Sequence, residues 1–366
     1  MDKLWVDKYR PRNLAQLDYN DQVTELLQKL SKADDLPHLL FYGANGAGKK
    51  TRIMAFLNEI YGEGVHHLTS QMKEFKVNKN SSTTAECNII SSNYHLDVTP
   101  SDAENQDKVI VQKLIKDVAQ TQQIDKKQNF RILVINECDK LTKEAQAGLR
   151  RTMEKYIARC RLILVCENIG RVIQPLRSRC LMIRCQAPEE NNVCDVLQKV
   201  AQQEKFDVPV ELLKSIVAES QGNLRSAILS LQTCKMKSNK LTPQTQVYVA
   251  EWKKEIQNIA KEICANQTPM QLGNIRNRFY ELIVNCIPGE IIIKNLLYEL
   301  QNNLIQNPRF IKFDKNQILK AQIQLTHHAA HNENQLQQGS KIICHIEAFA
   351  AQAMVIIRKL IEQIPL

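Results

Sequence analysis

The chain has 366 residues, 43% hydrophobic and 24% charged, which is enough apolar material for the cores of two or three domains. Lys and Arg exceed Asp and Glu by 49 − 39 = 10, an excess that suits a polyanionic partner such as nucleic acid or nucleotide phosphates, or simply a basic surface. The eleven cysteines are odd in number and include no Cys-x-x-Cys pair, and several sit in apolar runs; this argues against a disulfide framework or a zinc site and for buried thiols in a reducing, intracellular compartment.

In chain order, the opening "MDKLWVDKYR" has no apolar signal core. "HLLFYG" reads as a short buried strand ending in a glycine loop. The helix "KKTRIMAFLNEIYG" follows, with Ile53, Phe56, Leu57 and Ile60 at helical spacing and Gly62 as its stop. Residues 64–100 carry the polar "KNSSTTAE" and then "NIISSNYHLDVTP", and read as a pair of strands with a surface loop, inserted before the next helix. After that, the helix "KVIVQKLIKDVAQ" precedes the strand "RILVIN", and the polar helix "TKEAQAGLRRTMEKY" leads into the strand "RLILVC". Such alternation predicts a mostly parallel sheet with helices on both faces. Beyond Pro188 the strand signals fade. Three helical patterns fill 189–238, the polar "KMKSNKLTPQTQ" reads as a linker, and from about 250 onward the chain is helical, broken at "IPGE" and "NPRF". The expected domains are therefore 1–188, 189–240 and 241–366. The late segment "IICHIEAFAAQAMVIIRKLI" carries His345, Glu347, Arg358 and Lys359, charges that a lipid-spanning helix would not easily tolerate, so no membrane span is expected.

The stretch "GANGAGKKT" over 43–51 fits the phosphate-loop pattern G-x-x-x-x-G-K-[ST] at every position but one. Glycines let backbone amides curl around phosphate oxygens, and the helix that follows aims its positive end at them. Gly43, Ala44, Asn45, Gly46, Ala47, Gly48 and Lys49 supply the loop; Lys50 stands where the magnesium-binding hydroxyl belongs, and Thr51 comes one residue late, about 100° further round the helix. Likewise, the strand "RILVINECDKL" ends in the neutral Asn136 rather than the aspartate that holds the metal. Glu137 follows in the place of the carboxylate that polarises the attacking water, and Asp139 is a candidate helix cap. These residues predict a nucleotide, ATP or ADP, held without efficient hydrolysis, with Mg2+ doubtful and no metal ligands to name.

Taken together, "LWVDKYRP", the phosphate loop, "NECDKLTKEAQAGLRRTMEKY", "PLRSRC" and "GNLRSAI" resemble the small subunits of replication factor C, the eukaryotic sliding-clamp loader. "GKKT", Asn136 and "YHLDVTPSD" resemble one branch of them, numbered five in budding yeast and three in human. The resemblance spans all three expected domains. It implies an α/β AAA+ module with a RecA-like parallel sheet, a small helical lid and an all-α collar. It also implies a nuclear heteropentamer with four other replication factor C subunits, or alternative large subunits, that opens a ring-shaped clamp and loads it at primer–template junctions in replication and repair.

The resemblance further implies roles residue by residue. Arg179, in Ser178-Arg179-Cys180, would be a finger completing the adjacent subunit's ATP site; without the resemblance it reads as an ordinary surface arginine. Arg225 would be the lid arginine sensing the chain's own nucleotide, or else a helix-end salt bridge. Glu167 stands where relatives have an asparagine and would repel a γ-phosphate. Val6, Tyr9, Arg10 and Pro11 would line the adenine and ribose pocket, or simply pack as an N-terminal arm. Residues 139–184 hold 11 Lys/Arg against 4 Asp/Glu, and Lys113, Lys116 and Arg171 match segments that track the DNA backbone without reading bases, though each could be a solvated charge. The segment "QKLIKDVAQTQQIDKK" would face the clamp. The competing readings are an autonomous AAA+ ATPase, such as a helicase loader or remodeller, and a nucleotide-free scaffold.

Overall fold

In chain order the first part of the molecule holds α1 (Trp5–Lys8), α2 (Asp21–Ser31), β1 (Leu39–Tyr42), α3 (Lys49–Tyr61), β2 (Thr69–Lys76), β3 (Thr84–Ser91), β4 (His95–Val98), α4 (Asp107–Gln120), β5 (Arg131–Ile135), α5 (Lys143–Lys155), β6 (Cys160–Cys166), α6 (Gln174–Arg177) and β7 (Leu181–Arg184). Three helices follow: α7 (Glu190–Gln203), α8 (Val210–Ser220) and α9 (Leu224–Lys237). The computed structural model describes residues 3–362 apart from 34, 77–83, 102–106, 121–129, 158, 239–240, 244, 246, 308, 311–312 and 340. Most of the expected loop "KNSSTTAE", the end of the expected clamp-facing segment and parts of the expected linker lie outside the described residues. The chain divides into two units, Met1–Tyr248 and Val249–Leu366.

The first unit is built on a sheet of order β2-β3-β4-β5-β6-β1-β7. From β4 to β7 all neighbours are parallel, whereas β2–β3 and β3–β4 are antiparallel. The inner strands β1, β5 and β6 are mostly apolar because both faces are covered. Successive side chains alternate, so Leu133, Ile135, Leu162 and Leu164 join one core with α4 and α5, while Ile132, Val134, Ile163 and Val165 join the other with α2 and α3. One expectation needs correcting. The paired strands are β2 and β3, but "HLDV" is no part of an insertion: β4 runs parallel to β5, with His95 opposite Ile132 and Asp97 opposite Val134. Two polar side chains therefore lie on the sheet face that otherwise packs under α3.

His95 is 0% exposed, and its Nδ1 meets the Ser92 hydroxyl at 2.6 Å. Its Nε2 has no hydrogen-bond partner among the described residues. Burial pushes its pKa from 6.5 down to about 4; Lys50 and His66 act the same way, and Asp97 opposes them. Below pH 6.5 the unfolded chain therefore binds a proton that the folded chain refuses, so stability present above that pH is lost as pH falls toward 4. At ~1.4 kcal/mol per pH unit, His95 alone contributes a loss of roughly 3 kcal/mol. The unfolding free energy of the first unit, followed by urea titration, should fall across this window, and His95→Asn should flatten the slope by about one proton. An unchanged slope in the variant would place the pH response elsewhere.

The lid has its own core of Val193, Leu197, Leu212, Leu213, Ile216 and Leu231, against which Trp5 and Val6 also pack. The second unit consists of α10 (Glu251–Ala265), α11 (Pro269–Val284), α12 (Gly289–Gln306), α13 (Lys315–Gln338) and α14 (Ile342–Ile361). Its core gathers Ile256, Phe279, Leu296, Leu325, Phe349 and Ile357. The most apolar helix, α14, buries Ile346, Phe349, Ala350, Ala353 and Ile357 there, so it is core of its own unit. No described helix is long and apolar enough to cross a membrane. None of the eleven cysteines is in a disulfide, and eight of them are buried.

Candidate nucleotide site

The parallel strands β1, β4, β5 and β6 end on the same edge of the sheet, the place where open α/β sheets bind their ligands. A cavity of about 940 Å³ opens there, lined by strand ends, the loop after β1, the N-terminal segment and the lid. Of the residues singled out in the sequence, Val6, Tyr9, Arg10, Pro11, Asn45, Gly46, Gly48, Lys49, Lys50, Thr51, Asn136, Glu137, Glu167 and Arg225 share this cavity. Gly43, Ala44 and Ala47 shape the loop from behind: the first two offer carbonyls to Lys49 Nζ at 2.7 and 2.9 Å, and Ala47 is fully buried.

The loop's glycines answer two separate demands. Gly46 and Gly48 have φ of 77° and 76°, a backbone region that disfavours side chains. A Cβ at Gly48 would also sit 2.5 Å from the Tyr19 hydroxyl, and one at Gly46 would strike the Asn223 side chain. Asn223 caps α9, accepting from Ser226 N at 3.1 Å. Gly46 thus lets the lid's last helix, with Arg225 in its first turn, come down onto the phosphate loop. The N-terminal segment clasps the lid from the other side. Tyr9 Oη donates to Glu204 at 2.5 Å, Lys8 Nζ pairs with the same carboxylate at 2.6 Å, and Trp5 stacks on Phe206.

The centre of the site is the departure from the usual pattern. Lys50 Nζ lies 2.6 Å from Asp97 Oδ2, and Asp97 is 5% exposed. Asn136 Nδ2 donates to the other oxygen, Asp97 Oδ1, at 2.5 Å. One buried carboxylate therefore holds both replaced positions together, with an ammonium as its counter-ion. A divalent ion wants several oxygen ligands. Here the carboxylate already accepts from an ammonium and an amide, and the ammonium itself repels a second cation. The residues present do not fit Mg2+ at this position. No cluster of three or more His, Cys, Asp or Glu suited to a metal occurs among the described residues.

Glu137 is also engaged. It adopts φ 51°, uncommon outside glycine, and Lys140 Nζ sits 2.9 Å from its Oε2. Asp139 corrects an expectation: it caps no helix. Its Oδ2 accepts from the backbone N–H of Glu167 and Asn168 at 3.2 and 3.0 Å, bracing the loop after β6. The cap of α5 is Thr142, which accepts from Ala145 N at 3.2 Å and is itself held by Asp107. Arg179 lies outside the cavity, on the turn between α6 and β7, with Nε 2.8 Å from Glu154 Oε1. Lys113 and Lys116 fall on α4, and Arg171 in the turn after β6, also outside it.

Residues 252–361 match the family described as replication factor C subunit 3, C-terminal domain. Residues 195–236 match the RCF1/5-like AAA+ ATPase lid domain, and 19–189 the DNA polymerase III delta subunit. Replication factor C subunit 3 of Homo sapiens is 42% identical over 361 residues, covering 98% of this chain and 97% of its own. The chain belongs to the replication factor C subunit 3/5 family. Replication factor C subunit 5 of Neurospora crassa is 43% identical over 353 residues, 96% of each chain. Among solved structures, the RuvB Holliday junction branch migration motor of Thermotoga maritima is 15% identical and covers 69% of this chain and 78% of its own, at a TM-score of 0.47.

Three residues of this replication factor C chain escaped the sequence reading. Asp97 is the first; the signal was the alternation in "HLDV", which puts His95 and Asp97 on one face. The others are Tyr19 and Arg52. Arg52 is 0% exposed with no carboxylate partner among the described residues: its Nη1 donates to Thr24 Oγ1 at 3.0 Å, its Nη2 to the Tyr19 carbonyl, and its guanidinium lies 5.0 Å from the Tyr19 ring. Tyr19 in turn donates to the Ala47 carbonyl at 3.1 Å, so a buried cation props the aromatic wall of the cavity against the phosphate loop. Nothing in the local spacing marks an arginine for such a place.

Proposed function

We propose that this chain is a clamp-loader subunit that holds ATP or ADP in its own site without turning it over efficiently, and lends Arg179 to the site of a neighbouring subunit. The observation that carries the first half is the Lys50–Asp97–Asn136 cluster beneath an otherwise complete phosphate loop. Lys49, the loop amides and Arg225 line the cavity and suit a polyphosphate. Lys50, neutralised from below by Asp97, occupies the place where turnover needs a divalent ion. Glu137, paired with Lys140, is poorly placed to polarise water, and Glu167 adds negative charge to the same cavity.

Family membership supports the assembly: a nuclear heteropentamer with four other replication factor C subunits, or alternative large subunits, that places a ring-shaped clamp on primer–template DNA. The basic residues Lys113, Lys116 and Arg171 suit contacts to the phosphate backbone, which would be sequence-independent and weakened by salt. An autonomous AAA+ ATPase is the weaker reading, because it needs the metal site that Lys50 and Asn136 replace. A nucleotide-free scaffold leaves the intact loop unexplained.

The purified chain should retain bound ADP or ATP through extensive dialysis against EDTA, because an ammonium fixed in the protein cannot be chelated. It should show negligible ATPase alone. Complete loss of nucleotide in EDTA, or steady turnover by the isolated chain, would defeat the reading.

A further inference from the structure

The side chain of Arg179 is held on two sides. Its Nε and Nη2 both reach a single oxygen, Glu154 Oε1, at 2.8 and 2.7 Å. Its Nη1 donates to the Pro175 carbonyl at 2.9 Å. A guanidinium carries five N–H donors in a rigid plane. These contacts take the Nε–Nη2 edge and one hydrogen of Nη1. They leave one N–H on each terminal nitrogen without a partner among the described residues. Donors remaining on two nitrogens of one rigid plane suit two phosphate oxygens. The backbone on both sides is tied to the core: Glu154 follows Met153, 2% exposed, and Pro175 precedes Leu176, 0% exposed.

We propose that Glu154 is the positioning residue of Arg179, fixing the guanidinium so that its two remaining N–H groups serve, from the turn after α6, an oxyanion of an adjoining subunit. The inference rests on the reading of Arg179 as a group that acts in trans. Lys and Arg side chains lose much rotamer freedom on docking. A side chain already ordered by its own subunit pays that loss before the neighbour arrives, so the contribution falls on the chemical step and not on nucleotide binding. Because Oε1 alone accepts both donors, an amide oxygen in its place suffices, whereas a methyl group does not.

The test is steady-state ATPase of the complex assembled with its partner subunits. Glu154→Ala should lower kcat ~10-fold with KM unchanged. Glu154→Gln should stay within about two-fold of the parent. Glu154→Ala combined with Arg179→Ala should match Arg179→Ala alone, because the two act as a unit. Glu154 has a side chain 56% exposed, and an unchanged melting temperature in the alanine variant separates positioning from folding. If Arg179→Ala slows the complex while Glu154→Ala leaves kcat alone or raises it, the positioning role is wrong and the trans reading stands. If Arg179→Ala itself changes nothing, the trans reading falls and takes the positioning role with it.

Discussion

Arg179→Ala should lower turnover at the adjoining subunit's ATP site in the assembled complex by ~10³-fold, the usual scale for a guanidinium that meets developing charge on a transferring phosphoryl group. The effect is expected in the complex and not in this chain's own site, because Arg179 lies outside the cavity that holds Lys49 and Arg225. Nucleotide retention by the isolated Arg179→Ala chain should equal that of the parent. Arg179→Lys keeps the charge but loses the planar fork, and should recover little of the rate. A complex that turns over ATP as fast with alanine as with arginine would remove the in-trans role altogether.

Lys50→Thr combined with Asn136→Asp should turn a site whose residues do not fit Mg2+ into one that Mg2+ stabilises. In the parent, Asp97 is 5% exposed and satisfied by the Lys50 ammonium and the Asn136 amide. The double change removes the cation and brings a second carboxylate against the first. Breaking a wholly buried ion pair costs ~3–5 kcal/mol. Lys50 is 41% exposed, so about 2 kcal/mol is the fitting scale for its loss, with like-charge repulsion added. In EDTA the variant should therefore melt several degrees below the parent. Free Mg2+ at 100 times its Kd should restore ~2.7 kcal/mol in the variant and change the parent little. Equal responses of the two proteins to Mg2+ would show that the Lys50–Asp97 pair does not stand in the ion's place. ATPase by the isolated variant should stay low, because Lys140 still pairs with Glu137 and no neighbouring arginine is present.

The parts of the site that were legible are those written locally. Gly46, Gly48 and Lys49 declare a phosphate loop because the left-handed turns and the lysine's reach are set within a few residues. The replacements at Lys50 and Asn136 were visible for the same reason: each departs from a pattern of short range. Asp97 was not visible as their partner. It lies on a strand that read as the end of an insertion, and only the parallel pairing of β4 with β5 carries it under α3. Asp139 misled in the opposite way. A carboxylate shortly before a helix resembles a cap, but Thr142 is the nearer oxygen, and the backbone turn after β6 leaves two N–H groups that Asp139 satisfies instead.

By itself the sequence determined the α/β architecture, the order of its elements, the phosphate loop and the family, since hydrophobic period, glycine spacing and motif chemistry all act over short stretches of chain. Tertiary structure alone decided what each odd residue is for. It gave Lys50 a buried counter-ion, Arg52 an aromatic wall to support and Arg179 a carboxylate to hold it. A charge inside a protein takes its meaning from whatever surrounds it, and those surroundings are assembled from segments far apart along the chain.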